Sequence, residues 1–475
     1  MAVGSSPTCS TLATDTSAKT RGTSSLSSAA ATERNLEIMV FRSHHRSFAA
    51  ALAALGLVAA ACTNSTAASS PSVQVTVSTA PTAAVSTAPT VAAPRGNNPV
   101  VATSTVPSAP VAVGTPSTQT STASTPAPRP TLNVYSRTGS GDLSPAVAGA
   151  KPYVYVPSND TGTVTVIDQA SLQVIDNYRV GKLVQHVVPS WDLTTLYALA
   201  SDSNRLVPID PATGKPGKAI NVEAPYNLYF SPDGTQAIVM AERRNSIDIY
   251  DPHTWKKVKS VPTKPCVGNN HADWSGDLSF FLVTCEFSGQ IVKVDATTDQ
   301  IVGQIDLGPK AMPQDLRLAP DGSKFYVADM NSAGVWVIDA LGTRVIGKIA
   351  TDVGAHGIYP SRDGRLMYVS NRGRADADGT GPSRDGQGSI SVIDPTTDQV
   401  MSTWHIPGGG SPDMGGVSAD GTQLWLSGRY DSVVYVFSTG DGALLAKIAV
   451  PRGPHGLCVF PQPGRFSLGH TGNYR

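Results

Sequence analysis

Apolar and polar positions alternate with a period of two over most of this chain from about Thr131 onward, in short runs broken by turn residues. Such a pattern predicts strands rather than helices, because neighbouring side chains of a strand point to opposite faces. One run recurs: Val164–Asp168 (VTVID), Leu206–Asp210, Ile247–Asp251, Ile291–Asp295, Val335–Asp339 and Ile390–Asp394, with a seventh copy, Val433–Phe437, that lacks the aspartate. The intervals are 42, 41, 44, 44, 55 and 43 residues. A second landmark is an Asp-Gly turn at Asp233-Gly234, Asp321-Gly322, Asp363-Gly364 and Asp420-Gly421, with Asp192 and Asp277 in the same place without the glycine.

Each unit offers four short strands, as in Asn227–Phe230, Ala237–Ala241, the run ending in Asp251, and Lys257–Val261. Four strands in a period near 43 residues describe a propeller blade. The first complete set begins at Tyr153 with the second kind of strand, and the last strand, Gly456–Phe460, has no blade after it. The reading is therefore an all-β, seven-bladed β-propeller of four-stranded antiparallel blades over residues 131–475. The C-terminal strand completes the first blade and leaves no open sheet edge.

The segments Phe325–Asp329 (FYVAD), Met367–Asn371 (MYVSN) and Ser389–Thr397 (SISVIDPTT) resemble YVTN-type β-propeller repeats. That group is similar in sequence to the propeller that carries haem d1 in cytochrome cd1 nitrite reductases. The resemblance implies the fold and a bacterial envelope setting, and makes a haem d1-like tetrapyrrole or a transition metal conceivable as cofactor. No Cys-x-x-Cys-His occurs, which excludes an attached c-type haem and with it a self-contained reductase of that kind.

The N-terminal part has a different composition. Residues 63–128 are almost entirely Ala, Ser, Thr, Pro and Val, with Arg95 the single charge. Too little apolar surface is available there to offset the entropy of ordering, so residues 62–130 read as a disordered stalk. Before it, Arg42, His44, His45 and Arg46 precede an uncharged run, Ser47–Ala61, that ends at Cys62. This is signal-peptide architecture over residues 39–61, and Ala59-Ala60-Ala61-Cys62 resembles a bacterial lipobox with Ala59 in place of the usual Leu. Residues 1–38 are expected to be an over-extended start ahead of Met39. The expected location is outside the cytoplasmic membrane, lipid-anchored through Cys62 on its outer face, or periplasmic or extracellular.

The 36 basic and 36 acidic residues balance, which argues against nucleic acid as a partner. A small ligand or an envelope protein is the expected partner, and the domain reads as a monomer. In a propeller the first strand of each blade lines the central channel. The residues at the start of those strands are His186, Asn227, His271, Asp315, His356, Asp413 and His455, which include four of the nine histidines. The pattern suggests a ring of imidazoles and carboxylates able to bind a ligand, hold a metal or transfer protons. It is also what duplicated Pro-His-Gly blades would inherit for structural reasons alone. Alternate blades set Cβ atoms on opposite sides of a channel roughly 10 Å wide, which argues against one tight metal site. Arg243, Arg372 and Arg429, at the ends of second strands on the same face with Glu242, Glu286 and Asp329, would favour an anionic ligand.

The longest interval contains the Gly373–Ser389 insertion, expected as a rim loop, whose Asp376, Asp378 and Asp385 do not match an EF-hand spacing. Cys266 and Cys285 fall at adjacent ends of neighbouring antiparallel strands, and an oxidising compartment would join them. Cys458 reads as a buried thiol. No nucleophile elbow, phosphate loop or zinc-protease helix is present, so a binding module is favoured. The alternative is a metal- or tetrapyrrole-dependent oxidoreductase or hydrolase working through the His/Asp ring.

Overall fold

The computed structural model describes residues 133–374, 387–470 and 472–475. The expected signal peptide, Cys62, the stalk, and Asp376, Asp378 and Asp385 lie outside the described residues.

Seven antiparallel sheets follow one another along the chain, and each is a blade. Blade 1 is built from Tyr153–Ser158, Thr163–Asp168 and Gln173–Arg179, with Cys458–Phe460 as its innermost strand. Tyr153 pairs with Phe460 and Tyr155 with Cys458, so the chain's C-terminal strand closes the ring as the repeat count requires. The innermost strands of blades 2 to 7 are Val184–Pro189, Asn227–Phe230, Asn269–Trp274, Pro313–Leu318, Ala355–Pro360 and Pro412–Val417. Only blade 2 departs from four strands. Its outer strand is split into Lys215–Pro216 and Ile220–Asn221, both paired with Arg205–Asp210.

Blades pack face to face, so both faces of an inner strand are buried. In Tyr153–Ser158, Tyr155 joins the cluster shared with blade 2, whereas Val154 and Val156 join the one shared with blade 7. Each adjacent pair of blades shares such a cluster, and the core is a closed ring of seven of them. The repeated aspartates are explained by turns. Asp295 Oδ1, for example, accepts from the Thr297 and Thr298 amides and the Thr298 hydroxyl, at 3.1, 2.8 and 2.9 Å. Where the Asp-Gly turn lacks its glycine, Leu193 and Leu278 adopt φ of 65° and 62°, close to the 71° of Gly234.

Cys266 and Cys285 form the expected disulfide. Cys458 is buried, and burial pushes its thiol up to about 12.

The face opposite the strand starts is sealed by the segments flanking the ring. Ahead of blade 1, Tyr135 donates to the Leu318 carbonyl at 2.9 Å. After Phe460 the chain turns inward: the Phe230 amide donates to Leu468 O at 2.9 Å and the His470 amide to Leu228 O at 3.0 Å. Arg475 reaches Asp273 Oδ1 at 3.0 Å. The C-terminal tail thus enters the central channel from below and carries His470 into it.

Candidate functional site

The seven ring positions are all buried, and they divide into two levels. His356 and His455 reach the channel mouth, with Asp413 behind them. His186, Asn227, His271 and Asp315 do not line the mouth pocket. The expectation that opposite blades keep their ring residues apart is corrected here. An imidazole projects far enough from the backbone to cross half the channel, so the rings converge and fill it. Ring centroids lie 4.9 Å apart for His186 and His455, 5.6 Å for His186 and His271, and 6.2 Å for His271 and His356.

At the mouth, Asp413 is the organising group. Its carboxylate accepts from His455 Nδ1 at 2.6 Å and from Arg372 Nε at 2.7 Å, and His356 Nδ1 stands 3.2 Å away. Burial pushes this carboxyl up, but Arg372, His356 and His455 together outweigh burial and hold it well below the usual range. With Nδ1 donating to Asp413, His455 presents Nε2, 3.4 Å from the Tyr226 hydroxyl. Burial lowers His455 to about 4 despite Asp413, so its ring is neutral near pH 7.

Across the mouth stand Glu242 and Glu286, supplied by neighbouring blades. Burial and the proximity of Glu286 raise Glu242 well above the ordinary carboxyl range. Burial raises Glu286 as well, against the lowering effect of Gln314, Arg372 and Asn270. Two facing carboxyls this buried share a proton, so the pair carries one negative charge at most near neutral pH.

With Asp413 behind them, these groups, together with Gln185, Gln314, Phe287 and Arg429, line a pocket of about 140 Å³ open to solvent. Phe287 is 55% exposed and gives the pocket an apolar wall. Arg372 is neutralised by Asp413, whereas Arg429 is half-buried and makes no ion pair among the described residues. Arg429 is held by the Asn159 amide oxygen, which accepts from its two terminal nitrogens at 2.9 and 3.1 Å, so the pocket offers one guanidinium that no carboxylate neutralises, a ring of polar donors and acceptors, and one aromatic face.

The remaining expected residues lie elsewhere. Arg243 pairs with Asp202 on the rim and is not part of the pocket lining. Asp329 anchors its own loop, accepting from the Met312 amide at 2.9 Å and from Trp336 Nε1 at 2.8 Å. Asn227 donates to His470 Nδ1 at 3.0 Å, and Asp315 accepts from the Ile358 amide at 3.0 Å. His470 went unnoticed in the sequence because it lies after the last repeat, where no blade periodicity marks it. Tyr226 and Phe287 fall just outside the ring positions and carry no distinguishing pattern.

Comparison with known proteins bears on the fold. The family described as YNCE-like beta-propeller matches residues 140–465. The uncharacterized protein YncE of Salmonella typhi is 26% identical over 155 residues, which span 32% of this chain and 39% of that protein. A functionally unknown protein of Desulfotomaculum acetoxidans DSM 771 superposes with a TM-score of 0.53 at 13% identity, covering 65% of this chain and 98% of that one. Dihydro-heme d1 dehydrogenase NirN in complex with DHE gives a TM-score of 0.48 at 14% identity over 67% of this chain and 80% of its own. The chain belongs to the YNCE-like β-propeller family.

Proposed function

We propose that this YNCE-like β-propeller is a binding platform that holds a small ligand bearing an anionic group at the channel mouth. The observation that carries this reading is Arg429, a half-buried guanidinium without an ion pair among the described residues. It lines a pocket of about 140 Å³ whose other polar walls are already oriented by Asp413 and by the Glu242–Glu286 pair. A pocket of about 140 Å³ falls below the roughly 300–1,000 Å³ of sites for drug-sized ligands, and suits a small anion of a few heavy atoms. An anion would meet Arg429 while a donor on the same ligand meets the carboxyl pair. Export and anchoring through Cys62 belong to the same proposal, and would set the mouth facing solutes outside the cytoplasmic membrane.

The test is calorimetric titration with inorganic phosphate and a series of mono- and dicarboxylates, on wild type and Arg429→Ala. Saturable binding by wild type, weakened by about tenfold or more in the variant, is expected for a charge-assisted contact. Absence of saturable binding, or equal binding by both proteins, overturns the proposal.

One observation supports a second reading, in which the platform is also an acid–base catalyst. Asp413, His455 and Tyr226 form a hydrogen-bonded line at the pocket, with a neutral imidazole in the middle. In that reading His455 is the base and Asp413 fixes its tautomer. A His455→Gln variant that binds ligand but turns over none of it would separate the two readings.

A further inference from the structure

Beneath the mouth, His186, His271 and His470 are drawn together from two blades and the C-terminal tail. Their ring centroids are 5.6, 5.1 and 4.8 Å apart, and one nitrogen of each lies within 4.8 Å of the other two. All three rings are inaccessible to solvent. The polar bookkeeping of the group is incomplete. His186 Nδ1 is 2.9 Å from the Tyr226 carbonyl, which fixes the proton on Nδ1 and leaves Nε2 as a buried lone pair with no partner. His271 has no partner on either nitrogen. Leaving such groups buried and unpaired forfeits their hydration with nothing in return, so a native channel lined with them needs a reason.

We propose that His186, His271 and His470 form a transition-metal site of the Zn²⁺ class at the centre of the propeller. It is distinct from the mouth pocket and stands whether or not the mouth binds an anion. The pattern at His186, with one nitrogen donating to a backbone carbonyl and the other free, is how a protein orients an imidazole for a metal. Three imidazoles suit Zn²⁺ and its borderline neighbours Co²⁺, Ni²⁺ and Cu²⁺, and do not suit the hard ions Mg²⁺ and Ca²⁺. Burial keeps all three rings in the neutral form that can ligate. Bonds of about 2.0–2.1 Å place ligand nitrogens about 3.4 Å apart in a tetrahedral site, so the trio closes by roughly an ångström on binding.

His470 gives the site a structural consequence. It receives the Asn227 amide on Nδ1 at 3.0 Å, and its Nε2 stands 3.4 Å from Asp315 Oδ1. A metal on Nε2 takes the place of the proton held there, leaves the Asp315 carboxylate beside the ion, and ties the C-terminal tail to blades 2 and 4. The ion therefore staples the plug that closes the channel.

The experiment strips the protein with a chelator, adds Zn²⁺ or Co²⁺ alone, and removes excess ion by gel filtration. Bound metal is then measured by elemental mass spectrometry, with Co²⁺ coordination read from its visible spectrum. Wild type should retain one equivalent and gain in thermal midpoint. His271→Leu and His470→Asn should lose affinity by about 100-fold or more. His253→Ala and His405→Ala, at exposed positions, should leave it unchanged. His271→Leu also settles whether loss reflects unfolding. Leucine removes two unpaired buried nitrogens, so its metal-free midpoint should equal or exceed that of metal-free wild type. Failure of wild type to retain metal, or equal retention by His271→Leu and His470→Asn, overturns the proposal.

Discussion

Acidification should destabilise this propeller in a way that its buried imidazoles make calculable. His186, His271, His356 and His455 are buried, and burial lowers all four, His455 to about 4. In the unfolded chain each titrates near 6.5. Between these limits the unfolded state binds protons that the folded state refuses, so stability is full above about pH 6.5 and falls as pH falls. From pH 7.5 to 5.5 one such group removes about 1 kcal/mol, and four together remove about 5 kcal/mol. His470, also lowered by burial, acts in the same direction. Glu242 acts in the opposite one: its folded carboxyl keeps a proton that the unfolded chain releases above about pH 4.3, so acidification restores up to about 3 kcal/mol. Asp413 is ionised throughout the window. The net loss is about 2–3 kcal/mol, which for a domain of about 345 residues lowers the thermal midpoint by about 3–4 °C.

The assay is thermal and urea unfolding from pH 7.5 to 5.5 in the presence of chelator. His271→Leu removes one of the four groups and should shrink the loss by about 1 kcal/mol. A midpoint that is flat or rises on acidification would refute the reasoning. It would mean that the imidazoles titrate as hydrated groups and that the channel is open rather than packed.

Two further outcomes follow from the same geometry. Replacing Cys266 and Cys285 together by serine frees a loop spanning 19 residues and should cost about 3 kcal/mol in urea unfolding, with wild type matching the variant once reductant is present. Gly456→Ala would set a Cβ 1.9 Å from His186 Cδ2, so the ring must move off the Tyr226 carbonyl. The expected cost is about 1–3 kcal/mol, measured by the same unfolding curves, and an unchanged midpoint would contradict the packing described.

The fold was legible in the sequence because each blade repeats the same local physics. The aspartate ending each third strand caps a turn, the alternating runs bury both faces, and the unpaired strand at each terminus demands closure. The disulfide was legible for the same reason, since strand register sets Cys266 beside the end that carries Cys285. The site was legible only as a set of positions. His356, Asp413 and His455 were found where the repeat places them, but nothing in the repeat distinguishes them from His186 and His271 a few ångströms below. That separation depends on side-chain reach across the channel and on the tail that fills it from beneath. His470, Tyr226 and the Glu242–Glu286 pairing depend on contacts between blades or with the tail, which no spacing along one blade encodes. Arg243 and Asp329 show the converse. They share the expected face but are consumed by their own loops, one by Asp202 and the other by Trp336 and the Met312 amide.

The measurement that bears most directly on ligand binding at the mouth is a crystal structure of the protein grown with whichever carboxylate or phosphate titrates most tightly. Density for the anion is expected against Arg429, with the rest of the ligand between Phe287 and the Glu242–Glu286 pair. Density for the ligand at any other place, with the mouth holding only water, would contradict it.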